Sequence, residues 1–234
     1  MYSMTVKGIT KKYMNNLVLN NISLDFEKGK VYGLVGKNGV GKTTLLKIIV
    51  KLIPTKIYDE KVKIFDSSKM ISALISNPSC YMNLSVKDNL NLYAIFYYKN
   101  KDERKKVIDK VVKDFKLESM LKKKAKDLSL GMLQKLKLSL TFISTSNILI
   151  LDEPFNGLDI EATLILKEKI IEEKNFGKTI IITSHNTEKL EKICDDFAIF
   201  YETKIISISK NELKENSLEE IYCNILERGD KFVS

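Results

Sequence analysis

The sequence predicts an α/β fold with a mainly parallel sheet, and three observations support this prediction. Apolar runs at residues 31–35, 148–151 and 178–183 have the uninterrupted hydrophobicity of strands that are buried on both faces. The first run ends in a glycine-rich loop, and a helix-forming run at residues 43–52 follows it. Helical periodicity over residues 86–115 separates two parts of this pattern. With 234 residues, we expect one domain, 1–234, with an inserted helical lobe.

Composition limits the class of protein. The formal net charge is +9, from 39 basic and 30 acidic side chains, and only two of the basic residues are arginines. The lysines are spread along the chain, which favours a solvated surface, so we expect no nucleic-acid partner. Three distant cysteines in no metal-ligand spacing are typical of reduced thiols in the cytosol. No stretch has the apolar length of a signal peptide or a membrane span, so we expect another chain to provide any span.

Two strands are predicted before the glycine-rich loop, at residues 4–9 and 18–26, with a polar turn at residues 11–16. They would form an N-terminal antiparallel β lobe beside the loop. Tyr13 falls in the predicted turn, where an exposed aromatic ring is able to stack on a nucleotide base. Tyrosine is also common in turns that bind nothing, so both interpretations stay open.

The loop at residues 36–43 matches the phosphate-binding pattern Gly-x-x-x-x-Gly-Lys-Thr, with the required strand before it and helix after it. Glycines let consecutive backbone N–H groups point into one hollow at a helix N-terminus, where the helix dipole favours anions. Lys42 would reach the β and γ phosphates of a nucleotide, and Thr43 would be a ligand of the bridging Mg²⁺. The sequence thus predicts a P-loop NTPase core, although a glycine-rich turn matches this pattern by chance in some chains. The residues expected at the hollow are Gly36, Asn38, Gly39, Gly41, Lys42, Thr43 and Thr44.

The segment after the first helix begins at Pro54, which ends the helical pattern. From residue 86 onward, apolar residues at three- and four-residue spacing, with lysines on the opposite side, indicate the helices of the inserted lobe, at about residues 83–130. The predicted elements are short strands at 61–65 and 72–75, a loop at 76–79, and helices at 86–99 and 102–115.

The second half of the sheet carries polar residues at strand ends. Ser129 is placed as the cap of a helix at residues 132–143. Asp152 and Glu153 follow the strand at 148–151, where two carboxylates are costly unless something positive binds beside them. His185, the chain's single histidine, follows the strand at 178–183 at the same predicted sheet edge, although a lone histidine is more often structural. The remaining predicted elements are a helix at 161–174, a hairpin at 197–201 and 204–208, and a C-terminal helix at 211–226.

The order of these motifs resembles the nucleotide-binding domain of ATP-binding cassette proteins along essentially the whole chain. The resemblance rests on five motifs that occur together in this order and spacing. The matching segments are the loop at 36–43, a signature region at 128–132, Asp152-Glu153-Pro154, a D-loop at Gly157-Leu158-Asp159, and His185 in the place of the switch histidine.

The resemblance implies the roles of individual residues toward ATP and Mg²⁺. Tyr13 would stack on adenine, and Asp152 would hold the metal through water. Glu153 would be the general base for the attacking water, and His185 would contact the γ phosphate. Two domains of this family close head to tail on two ATP molecules, which implies that Ser129 and the Gly131 N–H contact the nucleotide of the opposite protomer. Neither arginine lies near a motif, so this chain offers no arginine finger.

Two departures from the family pattern matter. Leu130 and Met132 replace the glycine and the glutamine of the usual Leu-Ser-Gly-Gly-Gln signature. This variant looks like the branch that exports drugs or peptide antibiotics, including bacitracin and lantibiotics. The second departure is at the Q-loop, where Ser76 stands in place of glutamine or glutamate; we hypothesise that a water or Asn77 substitutes for it.

The resemblance therefore implies an ATPase subunit that drives export through a separate transmembrane permease. It would lie on the cytoplasmic face of the cell membrane and pair with a second nucleotide-binding domain, as a homodimer or with a sister subunit. The alternative is a cytosolic switch in which ATP clamps two chains together without transport. Glu153 favours the first hypothesis, because a clamp needs no general base.

Overall fold

The computed structural model describes residues 2–54, 62–64, 71–75, 80–213 and 216–228, and its strands form two sheets. We number the strands in chain order. They are β1 (Tyr2–Tyr13), β2 (Asn16–Glu27), β3 (Val31–Val35), β4 (Val62–Ile64), β5 (Ile71–Leu74), β6 (Ile148–Leu151), β7 (Thr179–Thr183), β8 (Asp196–Tyr201) and β9 (Lys204–Ser209).

The main sheet has the spatial order β5, β6, β7, β3, β8 and β9. The first five strands in this order, from β5 to β8, pair in parallel. The last strand, β9, pairs with β8 as an antiparallel hairpin. The mainly parallel sheet predicted from the apolar runs is therefore confirmed. Because the strands point the same way, the residues that follow β3, β6 and β7 lie at one edge of this sheet.

The second sheet is the antiparallel lobe, in the order β2, β1 and β4. Its first two strands are longer than predicted, and the predicted turn at residues 11–16 is wrong because pairing continues through shifted register to Tyr13 and Asn16. Tyr13 thus ends β1 instead of lying in a turn. The actual turn is Met14-Asn15, and Met14 has a φ of 52°, a left-handed conformation found in tight turns.

Seven helices of the described residues pack around the main sheet. They are α1 (Lys42–Ile49), α2 (Val86–Tyr97), α3 (Lys101–Asp114), α4 (Leu130–Phe142), α5 (Ile160–Asn175), α6 (Thr187–Ile193) and α7 (Leu218–Arg228).

The helices predicted between the two halves of the sheet are present as α2 and α3. The limits of the lobe at about 83–130, and the interpretation of 1–234 as one domain, remain predictions. The C-terminal helix begins at Leu218 and not at residue 211, because Ser209 and Glu212 cap a separate short 3₁₀ turn at Lys210–Glu212. Helix α6 was not predicted.

The core lies on both faces of the main sheet. Every residue of β6 and β7 is buried, as the continuous apolar runs predict. Leu149 and Leu151 pack into one hydrophobic cluster with α2 to α7. Ile148 and Ile150 point the other way, into a cluster that contains α1 and the antiparallel lobe. The strand ends are therefore held from both sides, which fixes the polar residues that follow them.

Candidate nucleotide site

The glycine-rich loop leaves β3 at Val35 and enters α1 at Lys42. Gly36 has a φ of 155°, and a Cβ there would lie 2.9 Å from the Cβ of Phe200. Gly41 has a φ of 117°, and its Cβ would lie 2.9 Å from a methyl group of Leu19. Both positions need glycine for its backbone conformation and for space, so the tight loop follows directly from the sequence.

Lys42 is the first residue of α1, and its side chain is buried against the preceding loop. Its Nζ donates hydrogen bonds to the backbone carbonyls of Gly36 and Lys37, the second at 3.1 Å. Burial lowers the pKa of Lys42, and the nearby charges of Glu153 and Asp152 oppose this fall. An ammonium group whose direct hydrogen-bond partners are neutral carbonyls is a favourable partner for a phosphate.

Asp152 connects three elements at the edge of the main sheet. Because Leu151 is in register with Ile182, Asp152 lies beside the end of β7. One carboxylate oxygen accepts a hydrogen bond from the Thr43 hydroxyl at 2.9 Å, and the other accepts one from the Thr183 hydroxyl at 2.7 Å. The carboxylate is thus fixed facing the start of α1.

Thr183 is a site residue that sequence reasoning missed. Besides donating to Asp152, its hydroxyl oxygen accepts a hydrogen bond from the Glu153 backbone N–H at 2.8 Å. One hydroxyl therefore fixes both acidic residues. Threonine is a common strand residue, so its place directly before Ser184-His185 was the only available signal.

Glu153 has a φ of 48°, a left-handed conformation that is uncommon for a residue with a side chain. Its Oε2 lies 3.0 Å from Nδ1 of His185, so an ionised glutamate accepts a hydrogen bond from the histidine. Its Oε1 is buried and has no hydrogen-bond partner among the described residues. A buried carboxylate oxygen without a partner is unusual in proteins and is available to accept a proton.

One cavity collects most of these groups. Residues of the glycine-rich loop and both acidic residues line it, which confirms that the loop and the acids lie at the same edge of the main sheet. The residues that line it are Asn38, Gly39, Gly41, Lys42, Thr43, Thr44, Asp152 and Glu153.

Comparisons with known proteins agree with this geometry. The sequence model of the family described as ABC transporter matches residues 19–156. The chain belongs to the ABC transporter family. It is 34% identical over 223 residues to the lantibiotic transport ATP-binding protein SrtF of Streptococcus pyogenes, covering 94% of this chain and 95% of that one. It is 32% identical to the bacitracin transport ATP-binding protein BcrA of Enterococcus faecalis, covering 88% of this chain and 68% of that one.

Solved structures resemble the fold closely. The structure described as the ATP-binding subunit of an ABC transporter has a TM-score of 0.86 and 25% identity, covering 95% of this chain and 98% of that one. A nucleotide-free ATP-binding cassette has a TM-score of 0.75 and 21% identity, covering 96% of this chain and 99% of that one.

The chain is thus an ABC ATP-binding subunit, from a family that hydrolyses ATP to power transport. ABC subunits of this kind pair with each other and with separate transmembrane subunits. In the part of the chain that the structure describes, no helix has the length and apolar character to cross a membrane.

The ABC signature region starts helix α4 beside the acidic loop. Ser129 caps this helix by accepting a hydrogen bond from the Met132 N–H at 3.3 Å, and Leu130 is 83% exposed. A Cβ on Gly131 would lie 2.8 Å from the Gly157 carbonyl oxygen, so the start of α4 abuts the D-loop. Ser129 and Gly131 do not line the cavity of their own chain.

Three further residues expected at the site, Tyr13, Gly36 and His185, do not line the cavity. Tyr13 is 45% exposed at the end of β1, with the Lys11 ammonium 5.3 Å from its ring centroid. The predicted Q-loop positions, Ser76 and Asn77, lie outside the described residues, so the hypothesis about them stays a prediction.

Oxygen ligands suited to Mg²⁺ are present at the start of α1. The Thr43 hydroxyl and the Asp152 carboxylate already lie 2.9 Å apart, and hydroxyl and carboxylate oxygens are the ligands that this ion prefers. No group of three or more His, Cys, Asp or Glu side chains forms a metal cage within the described ranges. The donor set therefore fits an ion that takes its remaining ligands from water and phosphate.

Proposed function

We propose that this chain powers export of an antimicrobial peptide through a separate permease, at the cytoplasmic face of the cell membrane. The observation that carries this proposal is its similarity, along nearly its full length, to a lantibiotic transport ATP-binding protein. The bacitracin transport relative supports the same class of cargo. The permease would select the peptide, and this chain would supply the energy of ATP hydrolysis.

ATP would bind with its phosphates in the P-loop hollow and its adenine near Tyr13. The amides of residues 39–44 would donate to the phosphates, and Lys42 would leave its carbonyl partners to contact the β and γ phosphates. Gly36, Asn38, Gly39 and Gly41 would give the loop its shape. Thr43 directly, and Asp152 through water, would hold Mg²⁺, which when bound neutralises phosphate charge during phosphoryl transfer.

Glu153 would act as the general base. The attacking water forms a new bond to the γ phosphorus as the bond from this phosphorus to the ADP oxygen breaks, and the water proton passes to Oε1 of Glu153. This oxygen is buried and has no partner in the part of the chain that the structure describes, while Oε2 is held by His185 and the backbone N–H donates to Thr183. His185 would keep the carboxylate oriented and contact the γ phosphate. Its side chain is 60% exposed, which leaves it accessible to a ligand.

A second ATP-binding domain would complete each site. Ser129 and the Gly131 N–H lie at the N-terminus of α4, where a helix favours an anion, and Ser129 is exposed. They would contact the ATP bound to the partner domain. If the chain pairs with itself, Glu153→Gln with ATP and Mg²⁺ will elute from a sizing column at twice its mass, whereas a monomer would leave only the sister-subunit arrangement.

The transport proposal is tested in the host. Deletion of this reading frame should sensitise cells to a lantibiotic or to bacitracin, and restoring wild-type protein should reverse the effect. Glu153→Gln, at the same protein level, should not restore resistance. Unchanged sensitivity to both peptides after deletion would overturn the cargo proposal. Full rescue by Glu153→Gln would favour the alternative, an ATP-dependent clamp that needs no hydrolysis.

A further inference from the structure

The C-terminal helix α7 carries a buried hydroxyl group that the mechanism above does not use. The Tyr222 ring is partly buried against the larger hydrophobic cluster. Its hydroxyl oxygen is buried and has no hydrogen-bond partner among the described residues. Buried hydroxyl groups are nearly always paired, because removing one from water without a partner costs free energy. This hydroxyl is therefore expected to find a partner in another state of the protein.

The available partner belongs to the phosphate-binding loop. Burial raises the pKa of Tyr222, and the backbone N–H of Lys37 opposes this rise, so this N–H lies near the phenol oxygen. In the structure the two groups do not meet the geometry of a hydrogen bond.

The peptide unit concerned also contacts Lys42. The Lys37 N–H and the Gly36 carbonyl belong to one planar trans peptide, so they point in opposite directions. That carbonyl accepts a hydrogen bond from Nζ of Lys42. One peptide plane therefore lies between the Tyr222 hydroxyl on one side and the phosphate-binding lysine on the other.

Helix α7 is held by buried side chains and by a hydrogen bond at its start, and these contacts fix the position of the Tyr222 hydroxyl. Leu218, Ile221 and Ile225 are buried at helical spacing on one face. The Leu218 N–H donates to the Glu191 carboxylate at 2.9 Å, which ties the start of α7 to α6, the helix that follows His185. The position of Tyr222 is thus fixed by packing at both the core and α6.

We propose that Tyr222 is a positioning residue for the phosphate-binding loop: with nucleotide bound, its hydroxyl accepts a hydrogen bond from the Lys37 N–H. When Lys42 turns from the Gly36 carbonyl to a phosphate, that peptide loses its contact on the carbonyl side. Hydrogen bonding to Tyr222 then holds the peptide on its other side and keeps the loop amides directed at the phosphates. The inference rests on the assignment of residues 36–43 to phosphate binding.

The test is Tyr222→Phe, which removes the hydroxyl and keeps the ring. We expect ATP affinity and KM to weaken about threefold to tenfold, the range for one hydrogen bond, while kcat changes less than about twofold. Without nucleotide, the melting temperature should stay equal or rise, since an unpaired hydroxyl is lost. The increase in melting temperature on adding ATP should be smaller than in the wild type. Tyr98→Phe is the matched control, because Tyr98 is half-buried just after α2 and remote from the loop, and it should change none of these values.

Hydrogen exchange gives a direct readout. The Lys37 amide should exchange more slowly when ATP is added to the wild type, and this protection should be reduced in Tyr222→Phe. Equal ATP affinity and equal protection in the two proteins would overturn the inference. Lys42→Ala separates the two assignments: if it binds ATP like the wild type, the loop assignment fails. If Lys42→Ala loses binding and Tyr222→Phe does not change it, only the role of Tyr222 fails.

Discussion

Two regions of the molecule hold charged side chains in place by different means. At the edge of the main sheet, Asp152 and Glu153 follow a buried strand. The Thr183 hydroxyl on the next strand donates to the Asp152 carboxylate and accepts from the Glu153 backbone N–H. Between α3 and α5, the contact is made by ion pairs, of which Lys110 with Glu172 at 2.8 Å is half exposed. Strand register therefore fixes the site, whereas much of the contact between α3 and α5 depends on charges that water and salt screen.

The largest expected difference between the two regions is in nucleotide binding. Lys42→Ala removes an ammonium group that we assign to the phosphates, so ATP affinity should fall about tenfold to a hundredfold. Lys110→Ala removes an ammonium group on α3 and should leave affinity unchanged. Equilibrium titration with a fluorescent ATP analogue measures both. Equal ATP affinities in the two variants would contradict the assignment of Lys42, and not Lys110, to phosphate binding.

The hydroxyl that holds the acids is tested by two substitutions on one strand. Thr183→Val keeps the side-chain shape but frees both acidic residues, so kcat should fall about tenfold as the base loses its position. Thr179→Val is matched, since its hydroxyl donates to the Glu27 carbonyl at 3.0 Å at the opposite end of β7. Both should lose about 1 kcal/mol in urea unfolding. If both variants kept the wild-type kcat, Thr183 would have only a structural role.

The start of helix α4 packs against the D-loop, which follows the acidic residues of the site. Gly131→Ala places a Cβ against the Gly157 carbonyl, and the required shift should cost about 1–3 kcal/mol of stability. Leu130→Ala changes an exposed neighbour and should stay within about 0.5 kcal/mol of the wild type. Chemical denaturation compares them. A Gly131→Ala protein as stable as the wild type would mean that the two segments move apart freely.

The smallest changes in stability are expected from the ion pairs between α3 and α5, which differ in how far they are buried. Lys169 is only 5% exposed and pairs with Asp114 at 2.7 Å and Glu172 at 2.6 Å. Burial alone would lower the pKa of Lys169, but these hydrogen bonds raise it overall. Lys169→Met should therefore cost about 1–2 kcal/mol, and Lys110→Met less than about 1 kcal/mol.

Salt dependence checks the cause of that difference. The loss in Lys110→Met should disappear in about 1 M salt, where the screening length is near 3 Å, and the loss in Lys169→Met should largely persist. Urea unfolding at low and high salt gives both values. Identical salt dependence in the two variants would show that burial does not protect the Lys169 ion pairs from screening.

Much of the fold could be predicted because its strands are apolar runs with clear limits. The bounds of β3 and β6 agree with the predicted runs at 31–35 and 148–151, since polar or glycine residues follow both. The hairpin of β1 and β2 was underestimated, because its last pairs involve polar residues such as Lys11 and Lys12, which carry no alternation of hydrophobicity.

The sequence contains a capping signal at the start of the C-terminal helix that the predicted bounds of this helix did not take into account. Ser217 and Glu220 form reciprocal hydrogen bonds between side chain and backbone, which is the capping box that begins α7. The same spacing at Ser209 and Glu212 caps only one 3₁₀ turn. Two equivalent signals eight residues apart do not reveal which one begins the longer helix, since tertiary packing of Leu218 and Ile221 decides it.

At the site, the sequence predicted the groups that line the cavity but not the groups that hold them. Lys42, Thr43, Asp152 and Glu153 stand in recognisable motifs, so their proximity was expected. Thr183 and Tyr222 act through contacts between segments that are distant in sequence, and nothing in their local sequence distinguishes them from ordinary strand and helix residues. Only the three-dimensional structure brings them to the acids and the loop.

The central claim is that the amide loop and the two carboxylates act on one ATP molecule, with Glu153 as the base. The most direct measurement is phosphate release by the purified chain and by Glu153→Gln at saturating ATP and Mg²⁺, with ATP affinity measured in parallel. The account predicts unchanged affinity and a turnover lower by about a hundredfold to ten-thousandfold. Equal turnover in the two proteins would contradict it.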